Sequence, residues 1–416
     1  MAYWFHRNPL KGSVANFGPL ELIVSDEDSI KIKSDLKRSR DRIVELIPDP
    51  HHELERMGTA LNSYLSLLRG FLEIPGSGGP SKLRHSLSFK WSQSCAPKGP
   101  SASQKDAVFE MGHLLVNVAI WHMKRASMLA SKDDLQMEEA KEIHTSLRRG
   151  AGYLVFVQDV LIPQFVEKPD SETDLDPKVI VAYLNQCMAE AQEVTMARAI
   201  ELKHNAALIT TLAHETFKMY TTAGDAIEHL DKNKFGRWSA YLKFKSMFYQ
   251  AYAFNYQGES LLAQDKCGDA IRSLREAQKN YEEAINQAKE YCQVKGPGTN
   301  AKPHQHLFFK KLGPIINRTL EKCERENSLI YHEKVPYDPI ALEENAKAYG
   351  LVSPEPFVLP EFSPLWKGST YAAIEVPSVE DKKGKSKSEE EIKPIKEVEI
   401  KNSEKDPINE SGCIIA

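Results

Sequence analysis

Few residue types in this chain could do chemistry, and the most telling four stand last. Cys413-Ile414-Ile415-Ala416 places a thiol four residues from the carboxyl end, followed by two aliphatic residues. That is the C-a-a-X pattern of prenyl transfer, which needs a terminal cysteine in a tail able to enter the transferase pocket. Alanine in the final position favours farnesyl, so Cys413 is the expected lipidation site. The other candidates carry less. His51-His52 and His304-Gln305-His306 lack carboxylate or cysteine partners at ligand spacing and read as loop histidines. Gly76-Ser77-Gly78-Gly79 lacks the Lys-Ser/Thr of a phosphate loop and reads as a connector. Glu190 and Glu193 share one helical face, where structural polar contacts are commoner than acid–base dyads. No nucleophile elbow, kinase set or Cys-His signature occurs. The expectation is a non-enzyme with no catalytic, cofactor or metal site, farnesyl on Cys413 being the one covalent group.

One lipid chain holds a membrane only marginally, and stable anchoring needs a second signal. Residues 377–412 contain eight Lys, ten acidic residues, six aliphatics and no aromatic. That composition cannot repay its ordering entropy, so 377–416 is expected to be a disordered charged tail. Its charge of −2 would not attract an anionic leaflet, and no neighbouring cysteine offers a palmitoylation site. The second hold is therefore expected from a membrane-bound protein partner, acting through avidity. A flexible tether of this length spans on the order of 30–36 Å.

The whole chain narrows the setting. Over 416 residues, 54 Lys and Arg stand against 58 Asp and Glu, so no basic field exists to hold nucleic acid. Apolar residues at 41% and charged residues at 27% are those of a chain with a real core. Apolar runs such as Tyr153 to Val157 and Val179 to Leu184 are too short to span a bilayer, and the start lacks signal-peptide regions. Cysteines 95, 187, 267, 292, 323 and 413 are widely spaced, as in a reducing cytosol. A cytoplasmic protein is expected, neither secreted nor membrane-spanning.

The elements that must position any site are mostly helical. Short alternation over 16–24 predicts a strand or two, and Ile30, Ile32, Leu36, Ile43, Leu46 and Ile47 predict a helix from about Ser29. Residues 75–80 form a loop. Ser101 or Ser103 is expected to cap a helix striped by Val108, Met111, Leu115, Val118 and Trp121. Helical periods continue over roughly 135–166, 176–203, 205–224, 236–264, 266–293 and 302–328. Within 236–293, Gly258, Ala270 and Ala277 would let two antiparallel helices approach closely, as in a tetratricopeptide-like hairpin. Residues 353–366 are too proline-rich for helix yet carry Phe357, Leu359, Phe362 and Trp366, and an extended strap along the helical body is predicted.

Several of these stretches together resemble a known family. They are Phe89-Lys90-Trp91, the Asp106-x-x-x-Glu110 pair ahead of Asn117 and Ala119, Gln186-Cys187-x-Ala189 to Val194, Tyr252 to Ala277, and Lys322 to Asn327. With Trp4 to Leu10, they resemble the Bro-type domain of Alix and its relatives, closest to a prenylated single-domain branch. The resemblance covers about residues 1–370, and the domain is placed at 1–376. It implies a mainly α fold: an elongated, boomerang-shaped, tetratricopeptide-like helical solenoid with a small N-terminal β-sheet. It also implies an adaptor that binds the C-terminal amphipathic helix of ESCRT-III subunits of the charged multivesicular body type. That helix would lie in a concave hydrophobic groove, a helix-in-groove mode. Membrane remodelling or repair at endosomal or nuclear envelope membranes is the expected setting. No nucleic acid or small-molecule substrate is implied. Aligned on Ala191 to Val194, the two central groove aliphatics fall on Leu208 and Leu212. The third apolar position, aromatic in Alix, falls on Thr195, and Lys141 and His144 fall on the polar rim. By spacing alone, Leu208 and Leu212 would face a core, although Ile209 could make that contact while Leu208 turns outward. The rival reading is a soluble tetratricopeptide-like scaffold for a different peptide, with no lipid anchor.

Overall fold

The computed structural model describes residues 3–19, 27–132, 135–343, 349–374, 392 and 395–399. Its fold is helical with one small sheet. Cys413 and most of 377–416 lie outside the described residues, as does the 20–24 part of the expected N-terminal strand. The observed strand is earlier. β1 (Ser13–Asn16) pairs antiparallel with β2 (Ser88–Trp91), which pairs with β3 (Ala102–Gln104). Alternation along β2 buries Phe89 and Trp91 on one face.

Helix α1 (Glu27–Leu46) buries Ile32, Leu36, Ile43 and Leu46, the predicted stripe, while Ile30 faces solvent. Helix α2 (Leu54–Leu72) turns Met57, Leu61, Tyr64, Leu68 and Phe71 inward. The cap expected at Ser101 or Ser103 is instead Asp106, whose side chain accepts from the Val108 N–H, because both serines flank or occupy β3. The helix it starts, α3 (Ala107–Ala130), is buried on almost every face and forms the axis of the N-terminal half.

From there, each helix packs on the next: α4 (Met137–Phe156), α5 (Pro177–Glu201), α6 (Ala206–Ile227), α7 (Lys232–Leu262) and α8 (Cys267–Gln293). Helix α4 ends in a widened turn at Val157–Leu161 and a tight one at Ile162–Gln164. The hairpin expected over 236–293 begins one turn earlier, because Asp231 caps α7 by accepting from the Asn233 N–H. Its close approach is real: a Cβ on Gly258 would fall 2.6 Å from Leu274 Cγ. Short α9 (Leu307–Lys310) and α10 (Leu312–Glu326) follow, the latter on α8.

The predicted strap is present and extended. Glu355 N–H donates to Arg148 O (3.0 Å), and Ser363 N–H to Ser66 O (3.0 Å). Trp366 Nε1 donates to Leu67 O (2.8 Å), and the indole meets Phe71 edge-on. Gly368–Ala373 (α11) then seats Tyr371 against Ser81 and Lys82. One part of the expected disordered tail needs correction. Residues 395–399 lie on the body, where Glu397 meets Leu10 and Lys124, because these offer a buried donor and a buried cation.

Candidate functional site

The acidic pair on α5 is structural. Glu190, fully buried, takes a two-pronged contact from Arg7 (2.7 Å to each oxygen) and a bond from Gln186 (2.8 Å). Glu193 pairs with Lys245 (2.8 Å) and accepts from Tyr220 Oη. A buried carboxylate survives only with such partners. His51 lies beside Asp49 (2.7 Å), and His304 nears Cys292. Among the described residues no group of three His, Cys, Asp or Glu side chains could hold a metal. Burial pushes the Cys95, Cys187 and Cys323 thiols up, as in inert packed cysteines.

An open cleft of about 620 Å³ lies where α4, α5 and α6 converge. The five residues named by alignment, from three helices, all line it: Lys141, His144, Thr195, Leu208 and Leu212. Asn205 starts α6 by accepting from the Leu208 N–H (2.8 Å), which fixes Leu208 in the first turn at the cleft edge. Leu208 is half-buried and Ile209 is 3% exposed, so Ile209 takes the core contact and Leu208 turns outward. Leu212 needs a correction as an open groove residue. It is only 1% exposed, because the start of the strap lies over it. A Cβ on Gly350 would stand 3.5 Å from both Leu212 Cδ2 and Thr195 Cγ2.

Buried Gln192 fixes that strap end. Its amide nitrogen donates to Gly350 O (3.0 Å), and its oxygen accepts from the Val352 N–H (2.9 Å). The polar side of the cleft is less uniform. Thr195 Oγ1 lies 3.4 Å from His144 Nε2, a hydrogen-bond distance. Burial, then nearby Arg148, lowers the His144 pKa, favouring the neutral ring. Lys141 is exposed on the rim and pairs with Glu138 (2.7 Å). The exposed apolar side chains of Met137 and Leu202 extend the floor toward Arg198 and His204. The geometry is an apolar trough whose charged edge residues are already paired, Lys141 with Glu138 and Arg198 with Glu201 (2.9 Å), so it suits the apolar face of an amphipathic helix.

The alignment missed Trp4, Tyr349 and Gly350, which also line the cleft. Trp4 is buried, and among the described residues its indole N–H has no acceptor. Helical spacing could not have found it, since it reaches the cleft from the far N-terminal end. The strap was predicted from 353, three residues after the part that touches Leu212.

Comparison with known proteins agrees with this architecture. Residues 33–377 match the family model described as a BRO1-like domain. The chain is 44% identical over 417 residues to the BRO1 domain-containing protein BROX of Danio rerio, covering 100% of both chains. Identity to the Homo sapiens protein of that name is 45% over 377 residues, covering 90% of this chain and 91% of that one. Among solved structures, the ALIX BRO1 CHMP4C complex matches with TM-score 0.65 at 19% identity, covering 87% of this chain and 98% of that one. The expected fold class and family are thus both met, and this chain belongs to the BRO1-like domain family.

Proposed function

We propose that this protein is a farnesylated adaptor that captures the C-terminal amphipathic helix of ESCRT-III subunits of the charged multivesicular body type. The carrying observation is the apolar cleft between α4, α5 and α6, lined by Leu208, Leu212, Thr195, Lys141 and His144. It lies in a body whose fold matches that of a BRO1 domain solved with CHMP4C. Leu208 is the apolar anchor for the incoming helix, with Leu212 beneath it closing the floor. Thr195 and His144 make one end of the trough polar, so a helix with a small or polar residue there is preferred. A lipid on Cys413 supplies the second, weak hold on the cytosolic face of endosomal or nuclear envelope membranes, and avidity joins the two. The setting is ESCRT-dependent membrane remodelling or repair.

The test is titration of the purified protein with a fluorescent ESCRT-III C-terminal helix, beside Leu208→Asp. Saturable binding that falls at least tenfold in the variant is expected. No binding to any subunit would turn the reading to a scaffold for another peptide. The lipid is tested separately: expressed in cells, the parent partitions into detergent and Cys413→Ser stays in the aqueous phase. Equal partitioning would remove the anchor.

A further inference from the structure

Lys124 lies in α3, and its side chain is only 10% exposed. An ammonium so placed is costly without an opposite charge. Among the described residues its one ion-pair partner is Glu397, at 2.7 Å, from the tail nearly three hundred residues later. The other oxygen of the same carboxylate accepts from the buried Leu10 N–H at 2.8 Å. One residue on, Val398 N–H donates to Pro48 O (3.0 Å), and Ile395 packs against the main core. Three separate parts of the body, the N-terminal arm, the loop after α1, and α3, thus meet one five-residue segment. The segment supplies an apolar contact, a carboxylate and a backbone donor.

The geometry points to a tail-docking cradle at Leu10, Pro48 and Lys124, occupied in cis by Ile395–Glu399. The cradle recognises an extended acidic peptide, with the carboxylate at 397 as its key. On the composition reading of 377–416 as a disordered tail, docking moves its point of departure from the body from 376 to 399. Only the 13 residues 400–412 then lie between Glu399 and Cys413, a root-mean-square reach of about 20 Å if they are flexible. The consequence for a lipid rests on the prenylation reading, whereas the docking itself does not.

Hydrogen–deuterium exchange on the full-length, unprenylated protein tests it, comparing the parent with Glu397→Ala and Lys124→Met. In the parent, amides of 395–399 should exchange at least tenfold more slowly than those of 402–412. Glu397→Ala lies in the tail and leaves the helical body intact. It should bring 395–399 to the rate of the free tail and speed exchange at Leu10, with α5 to α8 unchanged. Lys124→Met should release the same segment. Free-chain exchange of 395–399 in the parent, or protection that survives Glu397→Ala, overturns the proposal. Protection that falls on tenfold dilution assigns the cradle to the tail of a second copy and overturns docking in cis.

Discussion

At the residue scale, two leucines one helical turn apart have come to differ in kind. Leu208 stands half-exposed in the first turn of α6, whereas Leu212 is sealed under Gly350. Leu208→Asp should therefore abolish helix capture while leaving the unfolding midpoint within a few degrees of the parent. Leu212→Asp buries a carboxylate and opens a cavity, at a cost on the order of 3–5 kcal/mol. Thermal unfolding recorded beside the binding titration checks both, and equal stability of the two variants would contradict the burial of Leu212. Two buried histidines make a second prediction. Burial takes the pKa of His6 down to about 3, against the opposing bond to Asn8, and takes that of His122 to about 3, aided by Arg149. Unfolded histidine titrates near 6.5. Between that value and 3, the unfolded chain binds the protons that the folded one refuses, so stability is full above about pH 6.5 and falls as pH drops. The slope is up to roughly 2.7 kcal/mol per pH unit for the pair. Chemical denaturation at pH 7 and pH 5 measures it, and replacing both residues with Gln should remove their share of the slope while leaving that of His113, whose pKa burial also lowers. Neither histidine stood out in the sequence. Their state depends chiefly on burial, which only the fold creates by packing His6 against Tyr291 and His122 against Ser146.

At the element scale, the strap does what a helix there could not. Its backbone passes so close to α4 that a Cβ on Gly152 would fall 1.8 Å from Glu355 O. Gly152→Val should lift residues 353–357 off α4, breaking the Glu355–Arg148 bond and the edge contacts of Phe357 with Tyr153 and Phe156. Limited proteolysis reads this as new cleavage within 350–362, and an unchanged digest would show that the strap is held elsewhere. Helices α4, α6 and α8 were legible because apolar stripes recur over twenty or more residues each, whereas α5 and α7 are buried on most faces and show as long runs without a single stripe. The strap was legible for the opposite reason, prolines interleaved with aromatics. Helix α2 and strands β2 and β3 were not. Strands of three and four residues leave little alternation to count, and α2 starts after Glu53 without a side-chain cap to mark its boundary.

At the scale of the whole molecule, parts distant in sequence close on one another. The last described segments touch the first: Trp366 reaches Leu67, Tyr371 reaches Ser81, and Glu397 reaches Leu10. The family resemblance could align the cleft residues because they sit on regular helices. It could not foresee the tail contact, which depends on the placement of Lys124 rather than on any local pattern. A chain ended at 343 should keep α3 to α8 yet lose the cover over Phe71 and Leu212. Calorimetry should show its midpoint lowered by several degrees and its transition broadened, while an unshifted midpoint would make the strap a passive ornament. The same strap also puts a delay into synthesis. Trp366 leaves the ribosome 299 residues after Leu67. At about 5–20 residues per second, α2 waits roughly 15–60 s for the indole that covers it. Throughout that time the face of α2 at Gly70 and Phe71 that the indole covers stays open in the nascent chain, which makes it a point of engagement for chaperones that act during translation.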